Sequence, residues 1–382
     1  MIAFYFISCL LLATAYVWLI HFYVKGWLKT PQQNLDKTLK PTEAFTVVIS
    51  VRNEEDNIEN CLNSILKQNY PKDLYEIIVV NDFSTDSTLK KISPFENRIK
   101  LIKLSEHLPK ERANFPNKKT AITMAVNMAK NPLILCADGD CEYDENWILS
   151  IEQFYKKYKK DFIAAPVDYI FDNTWLFNFL EMDLAAMMGV TAGSIGQKKP
   201  VMASGANMMF TKAIFKEVNG YEGNEEIPSG DDVFLMQKVF MNNEKAVGFV
   251  KNTEAIAFTI APHTFSEFLN QRIRWTSKST NMIDIKVKVV LVFNYLFYLA
   301  LFLNFFVLPF FNIAFLVFGV VMMVFKLIID TLFFTNILAF FNKSKLLKWM
   351  FPIEILHIIY VSVMGILALV GTYNWKGRTV KK

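Results

Sequence analysis

The sequence predicts an α/β domain with a doubly wound, parallel or mixed sheet, tied to a set of membrane-spanning helices. Three observations carry that expectation. Short β-branched runs alternate with helical patterns after residue 44, as in a wound sheet. The first 24 residues, Met1 to Val24, contain no Lys, Arg, Asp or Glu, enough for a helix to cross a hydrocarbon core. Val289 to Leu308 is likewise uncharged and opens an apolar C-terminal part.

Composition agrees with this division. The chain has 382 residues, 53% of them hydrophobic and only 20% charged, so part of it must live away from water. Met1–Val24 reads as an uncleaved anchor; a signal peptide would be shorter and preceded by basic residues. After Val289–Leu308, Pro309 and Asn312 mark a turn, and a further apolar run starts at Phe310. Lys326 and Asp330 interrupt it four residues apart, on one helical face where they neutralise each other. Thr331–Asn342 is the end of that span or an interfacial helix, and Met350–Tyr373 is the last candidate. The expected count is one span before the polar region and about three after it.

Lysines orient the chain. Lys25, Lys29, Lys37 and Lys40 follow the first span, and Lys278, Lys286 and Lys288 precede the second. The positive-inside rule then makes residues 25–288 cytoplasmic in a multi-pass protein of the cell membrane. Lys343, Lys345 and Lys348 fit an inside loop. The tail "WKGRTVKK", with Lys376, Arg378, Lys381 and Lys382, does not fit if three C-terminal segments cross. Either the rule fails there or one segment does not cross. The four cysteines are scattered and read as small buried residues; Cys136 and Cys141 lack the CxxC spacing of a zinc site. No dense basic and aromatic stripe suggests nucleic acid as a partner.

In the polar middle, "TVVISV" ends in "RNEE", and a helical pattern follows through Ile58, Leu62 and Ile65 until Pro71. "EIIVV" is a second strand, ending in "NDFSTD"; Ser84 or Thr85 caps the next helix. Ile99–Leu104 is a third strand, Lys118–Lys130 a helix, and "LILC" a strand ending in "ADGDC". Ligands of wound sheets sit beyond the carboxyl ends of the strands, where Glu54, Asp82, Asp138 and Asp140 all fall. Like charges so crowded need a cation or separate partners. Carboxylates suit Mg²⁺ or Mn²⁺, and two of them leave room for water and substrate phosphates to complete the shell. An isolated D-x-D is equally a helix cap with a surface acid, so its neighbours matter.

Those neighbours resemble the membrane-bound family 2 glycosyltransferases: inverting, GT-A-fold enzymes that use nucleotide-diphosphate sugars. The resemblance covers roughly residues 44–285 and implies roles for named residues. "VISVRNEE" resembles the nucleotide-contacting loop, with Arg52, Asn53 and Glu54. "VVNDFSTD" resembles the segment whose acid, Asp82, lies near the donor base, although Asn81 stands where many members have Asp. "NKKTAITMAV" resembles a Gly-Lys-x-x-Ala-Leu segment placing Lys118 near the nucleotide, with Asn117 replacing the glycine. Asp138 and Asp140 of "ADGDC" match the metal motif, Asp138 also lying toward the donor. "IPSGDDVFL" resembles the catalytic-base motif: Asp232 is the base, and Asp231 stands for the usual Glu. Read locally, the same segment is a helix start capped by Ser229 or Asp231. "QRIRW" matches Q-x-x-R-W at Gln271, Arg274 and Trp275; the permanent, forked charge of Arg suits a diphosphate leaving group, and an indole suits a sugar or lipid-linked acceptor. Gly205, Ala206 and Asn207 of "PVMASGANMMF" resemble an acceptor-side or sugar-side segment. The apolar stretch Trp175–Val190 is either a core helix or one lying on the bilayer.

The resemblance divides the chain into an anchor (1–24), a linker (25–43), a cytoplasmic GT-A catalytic domain (44–260), interfacial helices with Q-x-x-R-W (261–288), C-terminal membrane helices (289–375) and a basic tail (376–382). It implies a divalent-metal-dependent glycosyltransferase, with a UDP-sugar as the precedent donor and a lipid or lipid-linked acceptor at the membrane. Two alternatives stand beside it: a processive synthase that extrudes its polymer, and a non-catalytic scaffold that senses sugar nucleotides.

Overall fold

The structure, a computed structural model, describes residues 2–115, 117–170, 176–225, 227, 229–277, 285–370 and 373–380. Trp175, Pro228, Lys278, Lys381 and Lys382 lie outside the described residues. The chain opens with helix α1 (Ile2–Lys29), longer than the uncharged run because Lys25 and Lys29 occupy its last turns. The wound sheet follows as sequence periodicity dictates. Strand β1 (Phe45–Val51), helix α2 (Ile58–Leu66), β2 (Tyr75–Asn81), the short α3 (Thr88–Ile92), β3 (Lys100–Lys103), α4 (Lys118–Met128) and β4 (Leu133–Asp138) alternate in order. Near-continuous Val/Ile runs suit strands buried on both faces, and β1, β2 and β4 are buried along almost their full length.

The cap of α3 differs from expectation. Asp86 accepts the Thr88 amide at 3.0 Å, while Ser84 and Thr85 turn away to hydrogen-bond Asn53. Tertiary contacts to the β1 loop outcompete the local cap.

Beyond β4 come β5 (Cys141–Tyr143), α5 (Trp147–Tyr158), β6 (Phe162–Ala164), β7 (Val167–Tyr169), α6 (Phe177–Gly196), β8 (Asn207–Thr211), α7 (Lys212–Glu217), α8 (Asp231–Asn242), β9 (Val247–Phe249), β10 (Ala257–Thr259) and α9 (Phe265–Ser277). The main sheet runs β3-β2-β1-β4-β8-β6-β9. It is mixed: β1, β2, β3 and β4 are parallel, and β8 is antiparallel to both β4 and β6.

Three apolar helices follow, α10 (Ile285–Phe306), α11 (Ala314–Phe340) and α12 (Met350–Val370), then a hairpin of β11 (Tyr373–Trp375) and β12 (Arg378–Val380). With α1, they make four described helices long and apolar enough to cross a membrane. Apolar side chains such as Trp18 (70% exposed) and Ile328 (65%) face outward, the opposite of a water-facing surface. α11 continues unbroken through Thr331 to Phe340. Lys326 does meet Asp330, at 2.5 Å, and Glu354 of α12 joins them. Tyr16 of α1 donates to Asp330 at 3.0 Å. A charge cluster thus fastens three apolar helices where water cannot compete.

Helix α6 settles against these helices as a packed element rather than a free interfacial one. Gly26 of α1 and Gly193 of α6 touch so closely that a Cβ on Gly26 would lie 1.8 Å from the Gly193 carbonyl oxygen; such small-residue contacts let helix backbones approach. At its end α11 packs Phe340 on Trp27 of α1, and just beyond it Lys343 meets the sheet domain, pairing with Asp168 and Glu181, each at 2.6 Å. The hairpin after α12 returns to the tips of β1 and β2. The link between α11 and α12, at Lys343, and the hairpin after α12 thus both touch the sheet domain, while the first turns of α12 pack on the middle of α11 through Met350 and Glu354.

Candidate active site

Register brings the acids together. Ser50 of β1 faces Asp138 of β4, and Val51 faces Asn81 of β2, so three strands stop along one line. Asn53 and Phe83, directly after β1 and β2, both adopt positive φ, at 50°. That conformation is tolerable for Asn and strained for Phe. It turns the two loops onto each other: the Asn53 amide donates to Ser84 Oγ, its Oδ1 accepts from Thr85, and Glu54's amide donates to Thr88 Oγ1 at 2.7 Å. Arg52 braces the pair from beneath, its Nη1 donating to the carbonyls of Asp82 (2.9 Å) and Phe83 (2.7 Å). In this structure Arg52 positions the loop backbone.

The other half of the rim centres on Lys118, at the start of α4. Its Nζ lies 2.8 Å from Asp138 Oδ1 and 3.3 Å from Asp231 Oδ2. Burial works against the ammonium, yet the two carboxylates outweigh it and hold its pKa above the usual range. Burial raises the Asp138 carboxyl, with Asp140 adding to the rise and Lys118 opposing it. Gly205 is what lets this cluster close. A Cβ there would sit 2.6 Å from Asp231 Oδ2 and 2.9 Å from Lys118 Nζ, so any side chain would part the pair. Tyr143 fixes the same corner, donating to the Ala206 carbonyl at 2.8 Å and accepting the Asp138 amide.

Asp231 and Asp232 occupy the first turn of α8, where a helix dipole favours anions. The expected cap at Ser229 or Asp231 is instead Gly230, with φ 86° and no side-chain cap bond. Its left-handed turn leaves Asp231 free to face Lys118, and Asp232 Oδ1 accepts the Val233 amide at 2.7 Å. Asn207 is turned inward, away from the rim: it takes the Trp147 indole N–H and donates to the carbonyls of Pro166 and Ala255. Those bonds tie β8 into the core.

In α9, Gln271, Arg274 and Trp275 are half-buried. The other arginine of "QRIRW", Arg272, is the buried one, 2.7 Å from Asp183 of α6 and stacked over Trp275 at 4.4 Å. Sequence reasoning passed it over, although its place one turn from Phe268 on an amphipathic helix marks an inward position.

Asp82 and Glu54 are matched by residues that sequence reasoning treats only as tail charge. Arg378 Nη1 and Nη2 grip Asp82 at 2.7 and 2.9 Å, and Lys376 pairs with Glu54. Asn117 donates to Asp82 Oδ1 at 3.0 Å, giving the residue that replaces the family's glycine a task of its own. Burial and the nearby Asp140 charge push Glu54 up to about 7, against Lys376 and Asn57. Asp140, half-buried, receives the Cys141 thiol at 3.5 Å.

The donor set for a metal is all oxygen. Among the described residues no group of three or more His, Cys, Asp or Glu makes a complete cage. Asp138 and Asp140 fit instead a hard cation whose shell is finished by water and a phosphate ligand. The four cysteines are buried and free, and burial raises the thiols of Cys61, Cys136 and Cys141, so none competes as a thiolate.

Two family models match this chain: glycosyl transferase family 2 over residues 46–218, and glycosyl transferase family group 2 over residues 133–365. The second spans more than half of the sequence. The chain belongs to the family 2 glycosyltransferases. Curated relatives include glycosyltransferase AglE of Haloferax volcanii, 25% identical over 34% of this chain and 40% of its own length. Poly-β-1,6-N-acetyl-D-glucosamine synthase of Staphylococcus epidermidis is 23% identical over 61% of this chain and 54% of its own. Poly(ribitol-phosphate) β-N-acetylglucosaminyltransferase TarS of Staphylococcus aureus is 29% identical over 32% and 21%. This glycosyltransferase thus spans about half the length, or less, of those relatives. In fold it resembles mannosyltransferase PcManGT of Pyrobaculum calidifontis, solved with GDP-Man and Mn²⁺, with a TM-score of 0.57 over 97% of this chain and 99% of that one at 15% identity.

Proposed function

We propose that this glycosyltransferase is a metal-dependent, inverting enzyme that passes one sugar from a nucleotide-diphosphate donor, UDP-linked by family precedent, to a lipid or lipid-linked acceptor. The observation that carries the proposal is the single rim where Glu54, Asp82, Asp138 and Asp231 converge from three strand ends and the start of α8. Asp82, Glu54, Asn53 and Lys118 line the donor side. Asp138 and Asp140 would hold the cation, which supplies charge neutralisation for the departing diphosphate. Arg274, with its permanent charge, backs the same leaving group, and Gln271, Trp275 and the Gly205–Ala206 turn form the acceptor side.

Lys118 ties Asp231 to Asp138, so the two aspartates of α8 divide their tasks. Asp231 belongs to the charge cluster, and Asp232 takes the proton of the acceptor hydroxyl. The hydroxyl oxygen bonds to the anomeric carbon as the sugar–phosphate bond breaks, and that electron pair leaves on the diphosphate. Displacement from the opposite face inverts the anomeric centre in one step.

The enzyme works at the cytoplasmic face of the cell membrane, anchored by its four apolar helices α1, α10, α11 and α12. The contact of the C-terminal hairpin with the acid rim supports a basic tail on the same side as the sheet domain. A processive synthase is the second reading, favoured by the likeness to poly-β-1,6-N-acetyl-D-glucosamine synthase. The deciding experiment feeds labelled nucleotide sugars to membranes containing the protein and identifies the extracted product. One sugar on a lipid supports the first reading, and a long polymer the second. Asp232→Asn is expected to lower turnover by about 10²–10⁴-fold while leaving nucleotide affinity unchanged. Wild-type turnover in that variant would move the base elsewhere, and no transfer by the wild type would favour a sensing scaffold.

A further inference from the structure

The C-terminal hairpin turns at Lys376 and Gly377, both with positive φ (47° and 80°), the geometry of a tight two-residue turn. That turn sits in the crook between the β1 and β2 loops, where Arg52 Nε (3.1 Å) and Asn53 Nδ2 (3.3 Å) both donate to the Lys376 carbonyl. The side chains flanking Gly377 then take one acid each: Lys376 pairs with Glu54, and Arg378 grips both oxygens of Asp82. Arg378 Nε also donates to the Ala113 carbonyl at 2.7 Å. The result is a seal. Asp82 is 1% exposed and Arg378 3%, so no nucleotide reaches the Asp82 carboxylate while the hairpin is in place.

We propose that this hairpin is an internal occupant of the donor site, and that a nucleotide enters by exchanging for Arg378 and Lys376. The proposal rests on the donor role given above to Asp82 and Glu54. Two physical points favour exchange over a permanent wall. An isolated two-stranded hairpin is marginal by itself, so its place depends on its contacts with the rim and with the neighbouring helix α9. Those contacts are charge-assisted, and the hydrogen-bond donors of a nucleotide seated at Asp82 and Glu54 would compete for the same carboxylates. A site occupied by its own chain binds its ligand more weakly by the fraction of time it is open.

The test measures binding of UDP and of GDP, each with Mn²⁺, by calorimetry in nanodiscs. Wild type is compared with Arg378→Gln and with a chain ending at Val370. If the occupied state holds about nine molecules in ten, both variants bind one of the nucleotides roughly tenfold more tightly. A synthetic peptide of residues 373–380 added to the shortened chain then weakens that binding competitively. Equal or weaker binding in folded Arg378→Gln makes the hairpin a wall and overturns the proposal alone. Failure of every folded form to bind either nucleotide overturns the donor reading and the hairpin proposal together.

Discussion

The two ends of the acid rim are neutralised in different ways. At one end, Asp138 and Asp231 share Lys118, a residue of the same sheet domain lying twenty positions before Asp138. At the other, Asp82 and Glu54 are matched by Arg378 and Lys376, from a hairpin 296 and 322 positions later. The first arrangement is built into strand order and closes around Gly205. The second is brought from outside the domain by a separate element. A cation within the fold is permanent; one on a marginal hairpin is exchangeable. The difference makes Lys118 part of the frame and the tail cations part of the traffic.

The largest expected effect comes from removing the permanent cation. Lys118→Met leaves Asp138 and Asp231 facing each other with little solvent to screen them. Their partial exposure, 29% and 11% for the side chains, places the cost between the exposed and buried limits, at about 2–4 kcal/mol. The melting temperature should fall by roughly 5–15 °C, with transfer activity lost. Arg378→Gln should lower the melting temperature less, because release of the hairpin returns the otherwise buried Asp82 carboxylate to water. Similar melting losses in both variants would erase the distinction between frame and traffic.

That distinction shows where sequence reasoning reached and where it stopped. Apolar runs locate β1, β2 and β4, and because parallel strands align their ends, the acids just past those runs fall along one rim. Asn207 was misleading because a polar residue beside glycine looks the same in a loop that binds ligand and in one that satisfies buried carbonyls. Arg274 stands out through a motif, whereas helical spacing from Phe268 marks Arg272 only as inward, and its partner Asp183 on α6 comes from the fold. Lys376 and Arg378 carried no local sign at all. Their partners depend on α12 returning to the sheet domain, a long-range fact that hydropathy leaves open.

A smaller effect is expected at the hinge of the permanent cluster. Gly205→Ala puts a methyl group where Asp231 Oδ2 and Lys118 Nζ now sit. The neighbours shift by some tenths of an ångström, and misplacement on that scale near reacting groups costs about 10–100-fold in rate. The fold should survive, since the turn lies outside the core strands. Steady-state kinetics should show a fall in kcat with nucleotide affinity little changed. Loss of nucleotide affinity with kcat intact would assign Gly205 to the donor side instead.

The smallest effect is a pH dependence confined to the exchangeable end. Glu54 has its pKa raised from 4.5 to about 7, by burial first and the Asp140 charge second. For an acid whose folded pKa is raised, the unfolded chain releases its proton first. Stability attributable to Glu54 therefore falls as pH rises from about 4.5 to about 7, then levels off. Relative to Glu54→Gln, wild type should lose melting temperature across that window only. Cation binding at Asp138 and Asp140 runs the other way, because ionised Glu54 adds negative charge beside Asp140. Mn²⁺ affinity should rise through about pH 7 in wild type and stay flatter in Glu54→Gln. Lys376→Met sharpens the comparison: losing the ammonium raises Glu54 further and moves the midpoint of Mn²⁺ binding to higher pH, yet frees the carboxylate once ionised. Tighter Mn²⁺ binding at alkaline pH combined with weaker binding near neutrality is the pattern an exchangeable cation produces. A midpoint unmoved by Lys376→Met would show that the tail does not govern that carboxylate.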